Sequence, residues 1–97
     1  MHLRLLPEAE EELAAAARWD EDKRDGLGVD FVATIDRTLG LIHDAPVSFP
    51  RWREDSPIRK CVVQRFPFVV LFVVDSEAIL VVAIAHARRR PGYWKDR

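Results

Sequence analysis

The last third of the chain holds the side chains best able to grip or act on an anion: Arg65, His86, Arg88, Arg89, Arg90 and Tyr93, with Trp94 directly behind. An imidazole titrating near neutrality can take or give a proton. Guanidinium groups recognise phosphate or carboxylate through paired N–H donors, and Tyr93 and Trp94 can stack on a base or pack on an apolar partner. His86 closes an apolar run and the three arginines follow it. Strand alternation carried past that point sends Arg88 and Arg90 to one side and Arg89 to the other. The same residues admit a second reading: Pro91-Gly92 turns the chain, both rings dock on the body, and the arginines solvate its end.

Other chemistries fail on residue type or spacing. The single cysteine, Cys61, excludes an internal disulfide and a four-thiolate metal site. No H-x-x-x-H or H-E-x-x-H spacing occurs, so neither metal nor cofactor is expected. "DGLGVD" lacks the lysine of a phosphate-binding loop and follows a helix instead of a strand. Cys61 falls mid-strand, where it reads as a small buried hydrophobe. Ser48, Ser56 and Ser76 fall in turns. Glu10–Glu12 and Asp20–Asp22 read as solvated helix faces.

The elements that must position the late cluster follow from periodicity. "HLRLL" alternates as a short strand over residues 2–6. Pro7 suits a first helical position, with Glu8, Glu10, Glu11 and Glu12 near the positive end of the helix dipole. Ala9, Leu13, Ala16 and Ala17 make a thin apolar stripe, and Asp25-Gly26 stops that helix. Phe31, Ile35, Leu39 and Ile42 mark a second helix from Leu27 to Asp44, giving a helical hairpin. Residues 45–57 carry three prolines and form a loop. Ile58–Phe66, Phe68–Asp75 and Ala78–Ala87 read as three consecutive strands. One domain spans 1–97, and no internal repeat interrupts it.

Charge divides along the chain. Residues 1–50 carry five Lys/Arg against eleven Asp/Glu, and residues 51–97 carry ten against five. The acidic half is helical, and the basic half invites an anionic partner. No segment reads as a secretion signal or membrane span, and the lone cysteine suits the cytoplasm. Phe68–Val74 and Ile79–Ala85 are apolar at every position, whereas a sheet with one wet face alternates. Two helices cover one face only. The other is expected to carry a partner, the alternative being that the proline-rich loop and the tail fold over it.

Pro7-Glu8-Ala9-Glu10, Gly26–Phe31, Arg65-Phe66-Pro67-Phe68 and His86–Trp94, in this order and spacing, resemble the RelE/ParE toxins of type II toxin–antitoxin systems over almost the full chain. The resemblance implies an α+β, βααβββ fold with a helical hairpin packed on a small antiparallel sheet. It implies a cognate antitoxin that wraps the toxin in a hetero-oligomer, with Phe68, Val70, Phe72, Val82 and Ile84 as its expected contacts.

Two activities occur in that superfamily. RelE-like members cut messenger RNA on the ribosome, a role that would fall here to Arg65, His86, Arg88 and Tyr93. RNA-cleaving relatives often place an arginine on the middle strand, however, which reads Val69-Val70-Leu71 here, and the cluster is poor in lysine. ParE-like members trap DNA gyrase and need no catalytic set. The sequence looks closer to this branch, with Arg88, Arg89, Arg90, Tyr93 and Trp94 as expected target contacts.

Overall fold

The computed structural model describes residues 1–97. Strand β1 (His2–Leu5) leads into helix α1 (Pro7–Lys23) and helix α2 (Leu27–Asp44). A short 3-10 turn (Pro46–Ser48) and an irregular stretch precede strands β2 (Arg59–Val62), β3 (Phe68–Val74) and β4 (Ala78–His86). No helix is long and apolar enough to cross a membrane.

Pro7 takes the first turn of α1, where its missing N–H has no intrahelical acceptor to lose, and Glu8 and Glu10 sit in that turn. The hairpin closes tightly because glycine permits it. Gly26 begins α2 with φ +88°, in the left-handed region. A Cβ at Gly28 would meet the Ala17 carbonyl oxygen at 2.5 Å, so only hydrogen fits between the helices there. The Glu21 carboxylate of α1 accepts the N–H groups of Gly26 (2.8 Å) and Gly28 (2.9 Å), filling the role of a missing side-chain cap. On the buried face of α2, the Thr34 and Thr38 hydroxyls donate to the carbonyls one turn back, Asp30 and Thr34. Two polar groups are thereby buried without being left unpaired.

The α+β layout is the expected one, with one refinement in the sheet. Its order is β1-β4-β3-β2; β2, β3 and β4 are antiparallel neighbours, while β1 pairs parallel with β4. The chain enters the meander at the far edge, and three alternating strands return it beside β1 in β1's own direction. The sheet is therefore mixed. β2 is shorter than the predicted 58–66 because Arg65 adopts φ 72° and residues 64–67 form the turn.

Both sheet faces are covered by the chain itself. The helices bury Phe31, Ile35 and Ile42 against Val70, Phe72 and Val81. On the opposite face Trp94 and Trp52 pack over Leu71, Val82, Ala83 and Ala85. The expectation of a partner on a bare apolar face is thus corrected in favour of the loop and tail. Val70, Phe72 and Ile84 are 0%, 0% and 1% exposed within the helix-side core, and Val82 is 6% exposed in the second cluster. None of the four offers the surface expected of an antitoxin contact. Phe68 alone of that set stays half-buried.

Candidate functional site

β1 ends at Leu5, opposite Val81, so beyond that point β4 has no strand on its β1 side, while β3 continues beside it on the other. A register shift at Leu71/Phe72 then leaves Val82 as the extra residue of a bulge. Two side chains serve the open edge. The Glu12 carboxylate, reaching down from α1, accepts the Ile84 N–H at 3.0 Å, and Arg97 donates to the Val82 carbonyl at 3.1 Å. Side chains thus supply bonds that a further strand would otherwise make.

Glu12 is the hub of the region. Arg97 donates to both its oxygens, at 2.9 and 3.1 Å, in the forked geometry that suits guanidinium and carboxylate. The Tyr93 hydroxyl donates to it at 2.5 Å, and an Arg89 nitrogen lies 3.6 Å away. The Arg89 guanidinium also lies over the Tyr93 ring, 3.7 Å from its centroid. Burial first, and then the hydrogen bond to Glu12, push the Tyr93 phenol from its ordinary 10 to about 12. It stays a neutral donor near pH 7 and cannot act there as a base. The hydrogen bond from Arg97 to Glu12 also holds that guanidinium more firmly protonated.

Glu12 was expected on a solvated helix face; its side chain is only 14% exposed. The sequence signal was faint. Glu12 lies one position before Leu13 of the apolar stripe, at the margin of the buried face, among acidic neighbours of the same type.

The tail follows the second of its two sequence readings. The chain turns at Ala87–Arg88, where the Arg88 N–H donates to His86 Nδ1 (3.0 Å) and the Arg89 N–H to the His86 carbonyl (3.0 Å). Strand alternation therefore does not extend to the arginines. Gly92 takes φ +87°, and a Cβ there would lie 3.2 Å from the Trp52 ring. Trp94 is 5% exposed, edge-on to Trp52 with ring centroids 5.5 Å apart. It belongs to the core, which corrects its expected place among exposed target contacts. Tyr93 is half-buried, while Arg88, Arg89 and Arg90 remain exposed. Arg88 and Arg90 make no ion pair.

The four residues of the ribonuclease alternative are not gathered into one centre. His86 and Tyr93 line a cleft of about 410 Å³ together with Trp19, Phe68 and Arg89. Arg65 stands at the β2–β3 turn, bound to Asp30 at 3.1 Å and lying over Phe66. Arg88 does not line the cleft, and the Tyr93 proton is directed at Glu12. No three His, Cys, Asp or Glu side chains converge as metal ligands would. Burial raises the Cys61 thiol, as fits a core residue.

Residues 3–91 match the family model described as ParE toxin of type II toxin-antitoxin system, parDE. The chain therefore belongs to the ParE toxin family, and it is a toxin of the type II toxin–antitoxin class. No curated protein matches it closely. Among solved structures it is similar to a chain of the chromosomal ParDE TA system from P. aeruginosa, with TM-score 0.78 and 20% identity over 91% of this chain and 97% of that one. At that identity the likeness establishes the fold.

Proposed function

We propose that the protein arrests bacterial growth from the cytoplasm by binding DNA gyrase, without a catalytic set of its own, and that a cognate antitoxin neutralises it. Membership of the ParE family supports the class. Within the site, the supporting observation is the turn after β4. It presents Arg88 and Arg90 to solvent with no acidic partner, while the residues of the ribonuclease alternative are occupied or apart: Tyr93 with Glu12, Arg65 with Asp30, and His86 Nδ1 with the Arg88 N–H. Unpaired guanidinium groups on a fixed turn suit recognition of an anionic surface by charge and forked hydrogen bonds.

Both sheet faces are occupied by the chain itself, which favours an antitoxin surface elsewhere. β2 is an edge strand, and the groove between it and α2 exposes Leu41 (60%) and Val62 (70%) beside Arg37 and Arg65. Residues 50–52 already pair with the start of that edge, through the Lys60 N–H to the Pro50 carbonyl and the Trp52 N–H to the Ile58 carbonyl. An extended segment of apolar and acidic residues therefore fits at its open end, adding main-chain hydrogen bonds around Val62.

Induction in bacteria tests the target. A gyrase poison produces a DNA-damage response and accumulates cleaved gyrase–DNA complexes in a purified supercoiling reaction. Rapid codon-dependent cleavage of transcripts with gyrase unaffected would replace this reading by the ribonuclease one.

A further inference from the structure

From Arg88 onward the backbone makes no hydrogen bond to another strand or helix. Its own bonds are local: the N–H groups of Arg89, Lys95 and Arg97 reach the carbonyls of His86, Gly92 and Trp94. The last backbone bond to a distant part of the chain is Ala87 N–H to the Pro67 carbonyl, at 2.8 Å. The tail is therefore held by side chains, chiefly at two places, with Arg97 also donating to the Val82 carbonyl at 3.1 Å. Trp94 anchors it by burial against Trp52, and Glu12 anchors it through Tyr93, Arg97 and Arg89. The first anchor meets the segment carrying the arginines only at its end, where Gly92 lies against the Trp52 ring, and His86 holds its start through the Arg88 and Arg89 N–H groups. The second anchor grips it by the Arg89 and Tyr93 side chains.

We infer that Glu12 is a positioning residue: its carboxylate fixes the turn of residues 88–93 so that Arg88 and Arg90 are presented to the target in one pose. The fixing follows from the contacts around Glu12; the use made of it rests on the proposed function. A carboxylate suits the position better than any neutral group. It receives a phenol, a guanidinium and a backbone N–H together, and its charge offsets part of the positive charge of Arg89 and Arg97. Without it, the segment between His86 and Trp94 becomes a loop free to pivot on its ends. Each arginine then loses orientation before it meets a partner, which weakens binding by the entropy of ordering it.

The test compares wild type, Glu12→Gln, Glu12→Ala and the double variant Arg88→Ala/Arg90→Ala by backbone ¹⁵N relaxation and by growth arrest on induction. The wild-type turn is expected near the rigid limit, with order parameters of about 0.8, and Glu12→Ala should lower residues 88–93 below about 0.6 while α2 and β3 stay unchanged. Growth arrest should fall in the same variant, with Glu12→Gln intermediate, since its amide oxygen still accepts but carries no charge. If Glu12→Ala fails to fold, Glu12→Gln carries the comparison. An ordered turn in a folded variant lacking the carboxylate would overturn the inference, as would a disordered turn with full growth arrest. The double variant separates this from the reading beneath it. Full arrest with Arg88 and Arg90 removed refutes their target role, whereas a loss of arrest with an ordered turn supports it.

Discussion

The two faces of the sheet are sealed by different means. On one, α1 and α2 lay regular, hydrogen-bonded backbone over the strands, and Phe31, Ile35, Ile42 and Phe72 are at most 1% exposed. On the other, a proline-rich loop and a tail without helix or strand bring Trp52 and Trp94 over smaller side chains, and Val69, Val73 and Leu80 remain half-buried. The helix side satisfies its backbone internally, so its stability comes from packing a ready-made surface. The tail side relies on two rings and one carboxylate. Such a cover can be altered without redesigning the fold, and the exposed arginines are attached to it.

Substitution on each face breaks or sustains that contrast. Phe72→Ala removes a fully buried ring from the helix-side core and should cost about 3–5 kcal/mol, a large share of the roughly 5–15 kcal/mol holding a typical domain. Its urea unfolding midpoint should drop furthest of the variants considered. Trp94→Ala should cost about 3 kcal/mol, toward the lower end of the range for such truncations, because the tail can partly readjust. The decisive difference is spatial. Amide exchange in the Trp94→Ala protein should quicken in the tail and the Trp52 loop while α2 keeps its protection. Equal loss of protection in α2 would show the two covers to be a single cooperative unit.

The same contrast marks what the sequence could reveal. The helical hairpin was legible because Phe31, Ile35 and Ile42 recur at a helical period, and the β3 and β4 strands were legible as apolar runs bounded by turn residues. Uninterrupted apolar strands correctly required cover on both faces. The nature of the second cover was not legible, since it depends on one left-handed glycine and two indole rings meeting across more than forty positions. Glu12 was missed for a related reason. Its partners Tyr93 and Arg97 lie 81 and 85 residues away, and no local pattern separates a hub carboxylate from the solvated ones beside it. The direction of β1 was hidden too, because a four-residue alternation carries no information about which neighbour it will find.

Two glycines with nearly the same backbone angle sharpen the comparison at lower energy. Gly26 (φ +88°) has nothing within 4 Å of where a Cβ would stand, so Gly26→Ala should cost about 1 kcal/mol for the left-handed backbone alone. Gly92 (φ +87°) faces the Trp52 ring at 3.2 Å, so Gly92→Ala adds displacement of that indole to the same backbone penalty, for about 1.5–2 kcal/mol. Thermal unfolding of the two single variants measures the gap. Equal losses would mean that Trp52 is not pressed against the tail, and the sealing of the second face would then need another explanation.

The smallest effect is the most specific, since Tyr93 is the only tyrosine in the chain and its phenolate absorbance reports a single site. Its folded pKa of about 12 lies above the ordinary 10, so the fold favours the neutral phenol. The sign follows directly. Below about pH 10 this preference contributes in full to stability, and it is lost as pH rises toward 12, where the unfolded chain has already ionised. A wild-type titration should therefore have its midpoint near 12, with unfolding growing easier over that interval. Glu12→Ala removes the second and third causes of the shift and, by freeing residues 88–93, weakens burial, the first, while the Arg89 and Arg97 charges still favour the phenolate. The midpoint should therefore fall toward 10, and a midpoint still near 12 would show that the ring stays in place without the carboxylate. A fall all the way to 10 would mean that the ring has left the surface altogether. In that case the carboxylate, and not the Trp52–Trp94 contact, is what keeps this part of the tail on the second face.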